Sequence, residues 1–283
     1  MINKQYKFAE TVVEIITPFN YEVTKPFSDY ICQGLNPDYT ATFEFTSELP
    51  VHEENIVMTT DDYVVTQKNG LSYIHYYDSS KAKFYACRIT NDKDNCCNVL
   101  IDKDYEGKIW TRLVFTFIGI EEILAKNNSA LFHSSYLDMG GEALLFTGPC
   151  GMGKSTQANL WAKHRGLKIV NGDKSLLYFK DGKARVGGLP YSGSSTFCEN
   201  IDMPIKAIVK LSQAPYNKVE KLDSINAFFG IYNGCYPIAY SKEIMNMQMN
   251  FAERFAQKVF VCHLACLPDE SAVKCLEEFL NVK

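Results

Sequence analysis

The sequence lacks an apolar run long enough to span a bilayer. It also lacks an excess of basic residues, because 29 Lys and Arg stand against 33 Asp and Glu, for a formal net charge of −4. A chain without a basic field is not expected to bind nucleic acid. The opening residues, MINKQYKFAETVVEI, lack the basic-then-apolar form of a signal peptide. We therefore expect a cytoplasmic protein that binds neither nucleic acid nor a membrane.

Cysteine is abundant, but its spacing lacks the pattern of a zinc site. The chain has 10 cysteines, no CxxC pair is repeated at zinc-site spacing, and the adjacent pair Cys96 and Cys97 has no second half. In a reducing cytoplasm such residues remain thiols and behave as small apolar side chains. We therefore expect free, buried cysteines and no disulfide framework.

The first part of the chain has the pattern of a β-rich module. Six short segments are rich in β-branched and aromatic residues and are separated by turn residues. Asn69-Gly70 lies between two of them and is a strong hairpin signal. The predicted strands are TVVEIITPF, ATFEFTSEL, DYVVTQ, LSYIHYYD, KFYACRIT and CCNVLID.

The pattern changes at Trp110. WTRLVFTFIGIEEILAKNN is long, apolar on most sides and then charged, which predicts one helix ended by Asn127 and Asn128. A chain of 283 residues is long enough to form two domains. We therefore predict a β-rich module of unknown role over residues 1–128 and a second domain over residues 129–283.

The second domain opens with a predicted hairpin. ALFHSSYLDMGGEALLFTG is interpreted as a strand, a turn over Met139–Glu142 and a second strand. The hairpin places an antiparallel strand beside the one that follows it, so the predicted fold class is α/β with a mixed sheet of α+β character. Further strands are predicted at LKIVNGD, SLLYFKDG, KARVGGLP, IKAIVKLSQ and KVFVCHLAC, with helices to about His164, between Ser224 and Gln257, and over DESAVKCLEEFL.

A glycine loop follows the hairpin and carries the strongest functional signal. GPCGMGKS, from Gly148 to Ser155, fits GxxxxGK followed by Ser or Thr in full. Such glycines let successive backbone N–H groups point inward, and the helix that follows adds its positive end. Lys154 can reach the β and γ phosphates, and the Ser155 hydroxyl can hold magnesium. The predicted nucleoside triphosphate site consists of Gly148, Pro149, Cys150, Gly151, Met152, Gly153, Lys154, Ser155 and Thr156.

Four further features each have a structural and a functional interpretation. Asp173 is a turn residue or a metal ligand, and its place after a strand expected beside the glycine loop favours the metal. His133 is a polar residue on a half-buried strand or a group near the phosphates. Lys174 is a solvated turn lysine or a γ-phosphate partner, and the turn is favoured. The hydroxyl-rich loop Pro190–Cys198 is equally a phosphate cap or a plain connector.

These features together resemble a known family. His133 fifteen residues before Gly148, the Gly-Gly hairpin, the glycine loop and VNGD resemble the catalytic domain of HPr kinase/phosphorylase, which shares its ATP-binding core with ATP-dependent phosphoenolpyruvate carboxykinase. The resemblance covers about residues 130–283. It implies a P-loop kinase core of that type, with ATP and Mg²⁺ as cofactors. It also implies that His133, Asp173 and Lys154 are catalytic and that Ser155 and Asp173 hold the metal.

The sequence departs from the family at two places. Gly172 stands where the family carries the first of two successive aspartates, so only Asp173 remains. RVGGLPYSGSS does not match the family's substrate-contacting run, because Arg185 is out of register. These departures weaken the hypothesis that the substrate is the phosphocarrier HPr.

Two functional hypotheses follow. The first is an ATP-dependent kinase that phosphorylates a hydroxyl. The favoured acceptor is a serine of a protein or peptide, and a small-molecule alcohol is the close alternative. The β-rich module would present or regulate that acceptor, and the resemblance implies a homo-oligomer. The second is a nucleotide-binding regulatory protein without phosphotransfer. A nucleoside-type kinase, suggested by GKSTQ, ranks last because the sequence lacks recognisable lid arginines.

Overall fold

The chain is a mixed α/β protein. A computed structural model describes residues 1–51, 53–191 and 197–281, and these contain two mixed β-sheets and six α-helices. None of the described helices is long and apolar enough to cross a membrane.

The chain divides into two compact units. The first comprises Met1–Asn127 together with Pro237–Asn246, and the second comprises Asn128–Tyr236 and the residues from Met247 onward. A late segment of the chain thus belongs to the first unit, which the sequence pattern does not indicate.

The first unit contains a nine-stranded sheet. Its order is β3-β1-β2-β4-β9-β8-β7-β6-β5, in which β2–β4 and β4–β9 are parallel pairs and the other pairs are antiparallel. The six strands predicted for this part are confirmed, and three shorter or more polar strands (β1, β3, β5) are additional. The strands are β1 (Ile2–Phe8), β2 (Thr11–Thr17), β3 (Ile31–Cys32), β4 (Tyr39–Thr46), β5 (Ile56–Thr59), β6 (Tyr63–Lys68), β7 (Leu71–Tyr77), β8 (Phe84–Thr90) and β9 (Cys96–Asp102).

The hairpin signal in this sheet is confirmed. Strands β6 and β7 pair antiparallel up to Lys68 and Leu71, so Asn69 and Gly70 form a two-residue turn. Both turn residues have positive φ, at 54° and 78°. Asn-Gly is favoured there because both residue types tolerate the left-handed backbone that such a turn requires.

The single helix predicted from Trp110 onward is wrong. The structure has two helices, α1 (Thr111–Ile118) and α2 (Ile120–Lys126), separated at Gly119 with φ of 66°. A Cβ atom on Gly119 would lie 2.1 Å from Nη1 of Arg88, so this guanidinium occupies the space that a side chain would need. Glycine is therefore required at this position by a residue 31 positions earlier in the chain, which a local pattern cannot show.

Arg88 is part of a buried ionic cluster. Its Nη1 lies 3.0 Å from Oε2 of Glu122, and Nζ of Lys126 lies 3.0 Å from Oε1 of the same carboxylate. The Tyr240 hydroxyl donates to Glu122 over 2.8 Å and accepts from Nη2 of Arg88 over 2.9 Å. Burial alone would raise the pKa of Glu122, but the Arg88 and Lys126 charges outweigh it and the pKa is lowered. Tyr240 therefore fixes the late segment Pro237–Asn246 within the first unit.

Removing the Glu122 charge is expected to destabilise the first unit strongly. Glu122→Gln leaves two buried cations without a counter-charge, which lowers the free energy of unfolding by about 3–5 kcal/mol. Since the pKa of Glu122 is lowered, this contribution is fully present above the ordinary glutamate pKa of 4.5 and is lost as the pH falls through the lowered value. Urea denaturation followed by circular dichroism measures it.

The matched control is an exposed carboxylate in the same unit. Asp61 pairs with Lys81 at 3.5 Å and is 97% exposed, so Asp61→Asn should change stability by less than about 0.5 kcal/mol. Equal effects of the two substitutions would contradict the stabilising role of the cluster.

The second unit contains an eight-stranded sheet and the remaining helices, except that the first five residues of α5 belong to the first unit. The strands and helices predicted here are confirmed, apart from the bounds of each element and the additional strand β16. The strands are β10 (Ser129–Asp138), β11 (Ala143–Thr147), β12 (Lys168–Asn171), β13 (Lys174–Lys180), β14 (Lys183–Gly188), β15 (Asp202–Gln213), β16 (Lys218–Lys221) and β17 (Val261–Cys266). The helices are α3 (Lys154–Arg165), α4 (Ser224–Tyr232), α5 (Lys242–Ala256) and α6 (Glu270–Asn281).

The predicted β10–β11 hairpin is also confirmed. Asp138 pairs with Ala143, and Met139 N–H donates to the Glu142 carbonyl over 2.8 Å. Gly140 and Gly141 have φ of 84° and 101°. Two successive residues with positive φ make the tight turn that glycine permits at no steric cost.

The sheet of the second unit closes on itself. β11, β15 and β17 are parallel neighbours, and β10 lies antiparallel to β11 on the other side. β10 also pairs with β13, β13 with β14, and β14 with the start of β15, so five strands form a ring. The predicted mixed sheet is present in this form, and its closure was not predicted.

Alternate residues of β11 enter different cores. Leu145 belongs to a core with Phe132 and Phe255, whereas Leu144 belongs to one with Trp161. Because side chains alternate across a strand, the sheet is buried on both faces at this position. Strand β11 is therefore held rigidly up to the point where the glycine loop begins.

The cysteine prediction is correct for pairing and only partly correct for burial. All ten cysteines lie in the described part of the chain and are free thiols. Five are buried, but Cys96 and Cys150 are exposed. Cys150 is exposed because it lies in a surface loop, where the packing that buries the others is absent.

Candidate functional site

The glycine motif forms the turn between β11 and α3. Gly148, Gly151 and Gly153 have φ of 151°, 77° and 99°, values that other residues rarely adopt. The backbone therefore curls between the end of a buried strand and the first turn of a helix, the context that this motif requires. Phosphate binding itself stays a prediction.

Lys154 lies over this turn. Its Nζ donates to the carbonyls of Gly148 and Pro149 over 3.0 and 3.1 Å, and the side chain is buried. Burial lowers the pKa of Lys154, while the nearby Cys150 and Asp173 act to raise it. An ammonium group held by two carbonyls can exchange them for phosphate oxygens, which are also hydrogen-bond acceptors.

Asp173 and His133 meet beside the turn. The Asp173 Oδ1 lies 3.2 Å from Nε2 of His133, and about a quarter of each side chain is exposed. The hydrogen bond from His133 lowers the pKa of Asp173; burial opposes the shift, and the charges of Lys174 and Lys154 assist it. The carboxylate is thus ionised at neutral pH and available to a cation.

Asn171 holds Asp173 in place, a role that the sequence did not single out. Its side chain is fully buried, and Oδ1 accepts from the N–H groups of Asp173 and Lys174 over 3.0 and 3.1 Å. Its Nδ2 donates to the Leu189 carbonyl over 3.0 Å. Asp173 is therefore a turn residue that also pairs with His133, and its role as a metal ligand stays a prediction.

The backbone of His133 is fixed from two sides. Its N–H donates to the Gly234 carbonyl over 2.7 Å, and its carbonyl accepts from Oγ1 of Thr147 over 3.0 Å. Thr147 is the last residue of β11, so the histidine is tied directly to the start of the glycine loop. This connection explains how a residue 15 positions before Gly148 comes to lie beside the loop.

The interpretation of Lys174 as a solvated turn lysine is wrong. Its Nζ lies 4.7 Å from the ring centroid of Tyr236 and 5.2 Å from that of Tyr191, within cation–π range. Lys174 also faces His133 in the β10–β13 pairing. Of the hydroxyl-rich loop Pro190–Cys198, residues 192–196 lie outside the described residues.

The donor set fits magnesium that arrives with a nucleotide. Magnesium is commonly held by one or two carboxylates together with phosphate oxygens and water. Asp173 supplies an ionised carboxylate, and Ser155 lies exposed in the first turn of α3, as does Thr156. Among the described residues, no cluster of three or more His, Cys, Asp or Glu side chains could hold a metal ion by itself.

Comparisons with known proteins add little to this site. No family model matches the sequence, and no curated protein matches it. Among solved structures, the chain is similar to the Hpr(Ser) kinase/phosphatase from Coxiella burnetii at 12% identity. The match covers 54% of this chain and 93% of that chain, with a TM-score of 0.30. At that TM-score and identity, the likeness supports no conclusion about the site or its reaction.

The close approach at Gly234 generates a prediction about the strand that carries His133. A Cβ atom there would lie 2.3 Å from the Phe132 ring and 2.9 Å from Oγ1 of Thr147. Gly234→Ala must displace a core ring, so we expect it to lower the free energy of unfolding by about 1–3 kcal/mol. Urea denaturation of the purified variant measures the change.

Gly230 provides the control. It lies inside α4, and the nearest atom to an added Cβ is 3.8 Å away, at Val261. Gly230→Ala should be neutral or stabilise the protein by up to about 1 kcal/mol, because alanine favours a helix interior. A Gly234→Ala variant as stable as the Gly230→Ala variant would show that the contact is unimportant.

Proposed function

We propose that the chain is an ATP- and magnesium-dependent phosphotransferase of the HPr kinase type, with a P-loop core, which transfers phosphate to a hydroxyl. The observation that carries this proposal is the complete GPCGMGKS motif folded between β11 and α3 with Lys154 over the turn. Backbone N–H groups, a helix start and a lysine together make a phosphate cradle.

Each residue of the turn has a distinct part. The glycines expose backbone N–H groups to the phosphates, and α3 adds the positive end of its dipole. Lys154 neutralises the charge of the terminal phosphates. Its buried position makes the interaction stronger than it would be in bulk water.

Asp173 and Ser155 would hold the metal, and His133 would orient Asp173. The lowered pKa of Asp173 suits a metal ligand better than a general base, because a weakly basic carboxylate takes up a proton poorly. Phosphoryl transfer depends mainly on positioning and charge neutralisation, so a strong base is not essential. His133 supports this arrangement by donating to Oδ1 of Asp173.

The proposed acceptor is a serine of a protein or peptide, and a small-molecule alcohol is the close variant. The β-rich first unit would present or regulate that acceptor. A homo-oligomer is part of the same proposal.

The alternative is a nucleotide-binding regulatory protein without transfer. Gly172 favours it, because this position offers only its backbone N–H, which donates to the Phe197 carbonyl over 3.2 Å. A second carboxylate beside Asp173 is therefore missing. The two proposals differ in what Asp173 does for turnover.

Removing the Lys154 charge tests the nucleotide site. Lys154→Ala should lower the kcat/KM of magnesium-dependent ATP turnover by at least about 100-fold, since a positioned charge on the phosphates is lost. Free phosphate and label transferred to added cell extract are measured in parallel. Lys163→Ala, an exposed lysine on the same helix, is the control. Equal activities of the two variants would exclude Lys154 from the site.

Removing the Asp173 charge separates the two proposals. In the transferase, Asp173→Asn should lower kcat by about 100-fold or more while the enzyme still binds nucleotide. Asp181→Asn, in the exposed β13–β14 turn, is the matched control. Tight ATP binding by the wild type without turnover, with Asp173→Asn altering affinity alone, would favour the regulatory protein.

A further inference from the structure

A cavity of about 550 Å³ lies beside the glycine turn and extends beyond the residues assigned to the phosphates and the metal. β11, β15 and β17 are parallel, so their carboxyl ends meet at one edge of the sheet. The cavity opens there, which is where α/β sheets commonly bind ligands. It is lined by Gly151–Gly153, Thr156, Gln157, Gln213–Pro215 and Cys266–Pro268.

The order of the strands places the cavity and the His133–Asp173 pair on opposite sides of β11. His133 lies on β10, which flanks β11 on one side, and the cavity lies at the ends of β15 and β17 on the other. The glycine turn lies between them, at the end of β11. An elongated ligand bound across the turn would therefore have one end at Asp173 and the other in the cavity.

Gln157 contributes an unused acceptor to the cavity wall. The side chain is only 2% exposed, and its Nε2 donates to the Leu267 carbonyl and the Cys266 sulfur, both over 3.3 Å. This orientation of the amide is the reasonable one, because a carbonyl accepts only from the NH₂ group. Its Oε1 is buried and has no hydrogen-bond partner among the described residues. Buried acceptors without a partner are uncommon, and a ligand that donates would satisfy this one.

The rest of the lining suits a flat, largely apolar ring. Met152, Pro215, Leu267 and Pro268 present apolar surfaces around the amide. Small-molecule pockets typically combine such a lining with a few polar groups that fix orientation.

We propose that this cavity takes the base of the bound nucleotide and that Oε1 of Gln157 accepts a hydrogen bond from an exocyclic amino group such as that of adenine. The inference rests on the proposed function, because it assigns the far end of the nucleotide whose phosphates the glycine turn holds. Gln157 then determines which base is preferred. The side chain reaches the ligand by a small rotation of its terminal amide, a torsion with a broad energy minimum.

Binding measurements with three ligands test this assignment. Calorimetry gives the affinities of ATP, of purine riboside triphosphate, which lacks the amino group, and of inorganic tripolyphosphate, all with magnesium. The wild type should bind ATP about tenfold more tightly than purine riboside triphosphate, because one buried hydrogen bond is lost. Gln157→Met should bind these two equally, and its affinity for tripolyphosphate should equal that of the wild type.

A second variant tests the cavity without altering the amide. Ala214→Trp places a large ring in the cavity and should weaken ATP by at least about tenfold while tripolyphosphate binds as before. If Gln157→Met does not fold, the Ala214→Trp variant still tests whether the base of the nucleotide binds in the cavity.

Two results would overturn the inference. Equal binding of ATP and purine riboside triphosphate by the wild type would remove the role of Gln157, and unchanged ATP affinity in Ala214→Trp would remove the cavity. Neither result contradicts the proposed function, provided that the Lys154→Ala variant no longer binds tripolyphosphate. Failure of the proposed function differs, because neither ATP nor tripolyphosphate would then bind in a Lys154-dependent way.

Discussion

The pairing of β10 with different neighbours along its length determines where the candidate site residues lie. Residues Ser129 to His133 pair with β13, and residues Ser134 to Asp138 pair with β11. On the side away from β11, Tyr136 to Asp138 also pair with β12. His133 is the last residue before this change. A shift of the pairing register of β10 by one residue would turn the side chain of His133 to the other face of the sheet. The Gly140–Gly141 turn prevents such a slip, because its two residues with positive φ allow one tight connection to β11. One hairpin thus fixes both His133 and the start of the glycine loop.

The charge of the site differs from that of the whole chain. The sequence has a net charge of −4, yet Asp173 is the carboxylate on which His133, Lys174 and Lys154 act. A carboxylate surrounded by such donors keeps its charge, and the two lysines outnumber it, which suits a phosphate ligand. Net charge alone therefore argues only against a nucleic acid partner, and it gives no information about a small anion bound at one point.

Local features of the fold could be predicted from the sequence, and contacts between distant segments could not. The Asn69-Gly70 and Gly140–Gly141 turns and the glycine loop are each specified by adjacent residues, so their patterns were sufficient. The need for glycine at position 119 depends on Arg88, and the environment of Lys174 depends on Tyr191 and Tyr236. These partners lie between 17 and 62 positions away in the chain. A turn lysine and a lysine between two aromatic rings have the same local sequence.

The same reasoning applies to Asp173. One interpretation of Asp173 was a turn residue, and the turn is present, but the sequence analysis did not single out the buried Asn171 that builds it. Asn171 uses both Oδ1 and Nδ2 on the backbone, so its side chain shapes the turn. Gly172 likewise contributes its N–H to the Phe197 carbonyl. A carboxylate at position 172 is therefore not needed to shape this turn.

The segment from Val170 to Asp173 therefore supplies one carboxylate to the candidate site, that of Asp173. Its lowered pKa makes it a good ligand for a cation and a poor proton acceptor at neutral pH. A reaction that spreads charge over the transferred group and needs little help in removing the proton matches this capacity. A reaction that must first deprotonate its acceptor would require a base other than Asp173, and Gly172 has no side chain that could supply one.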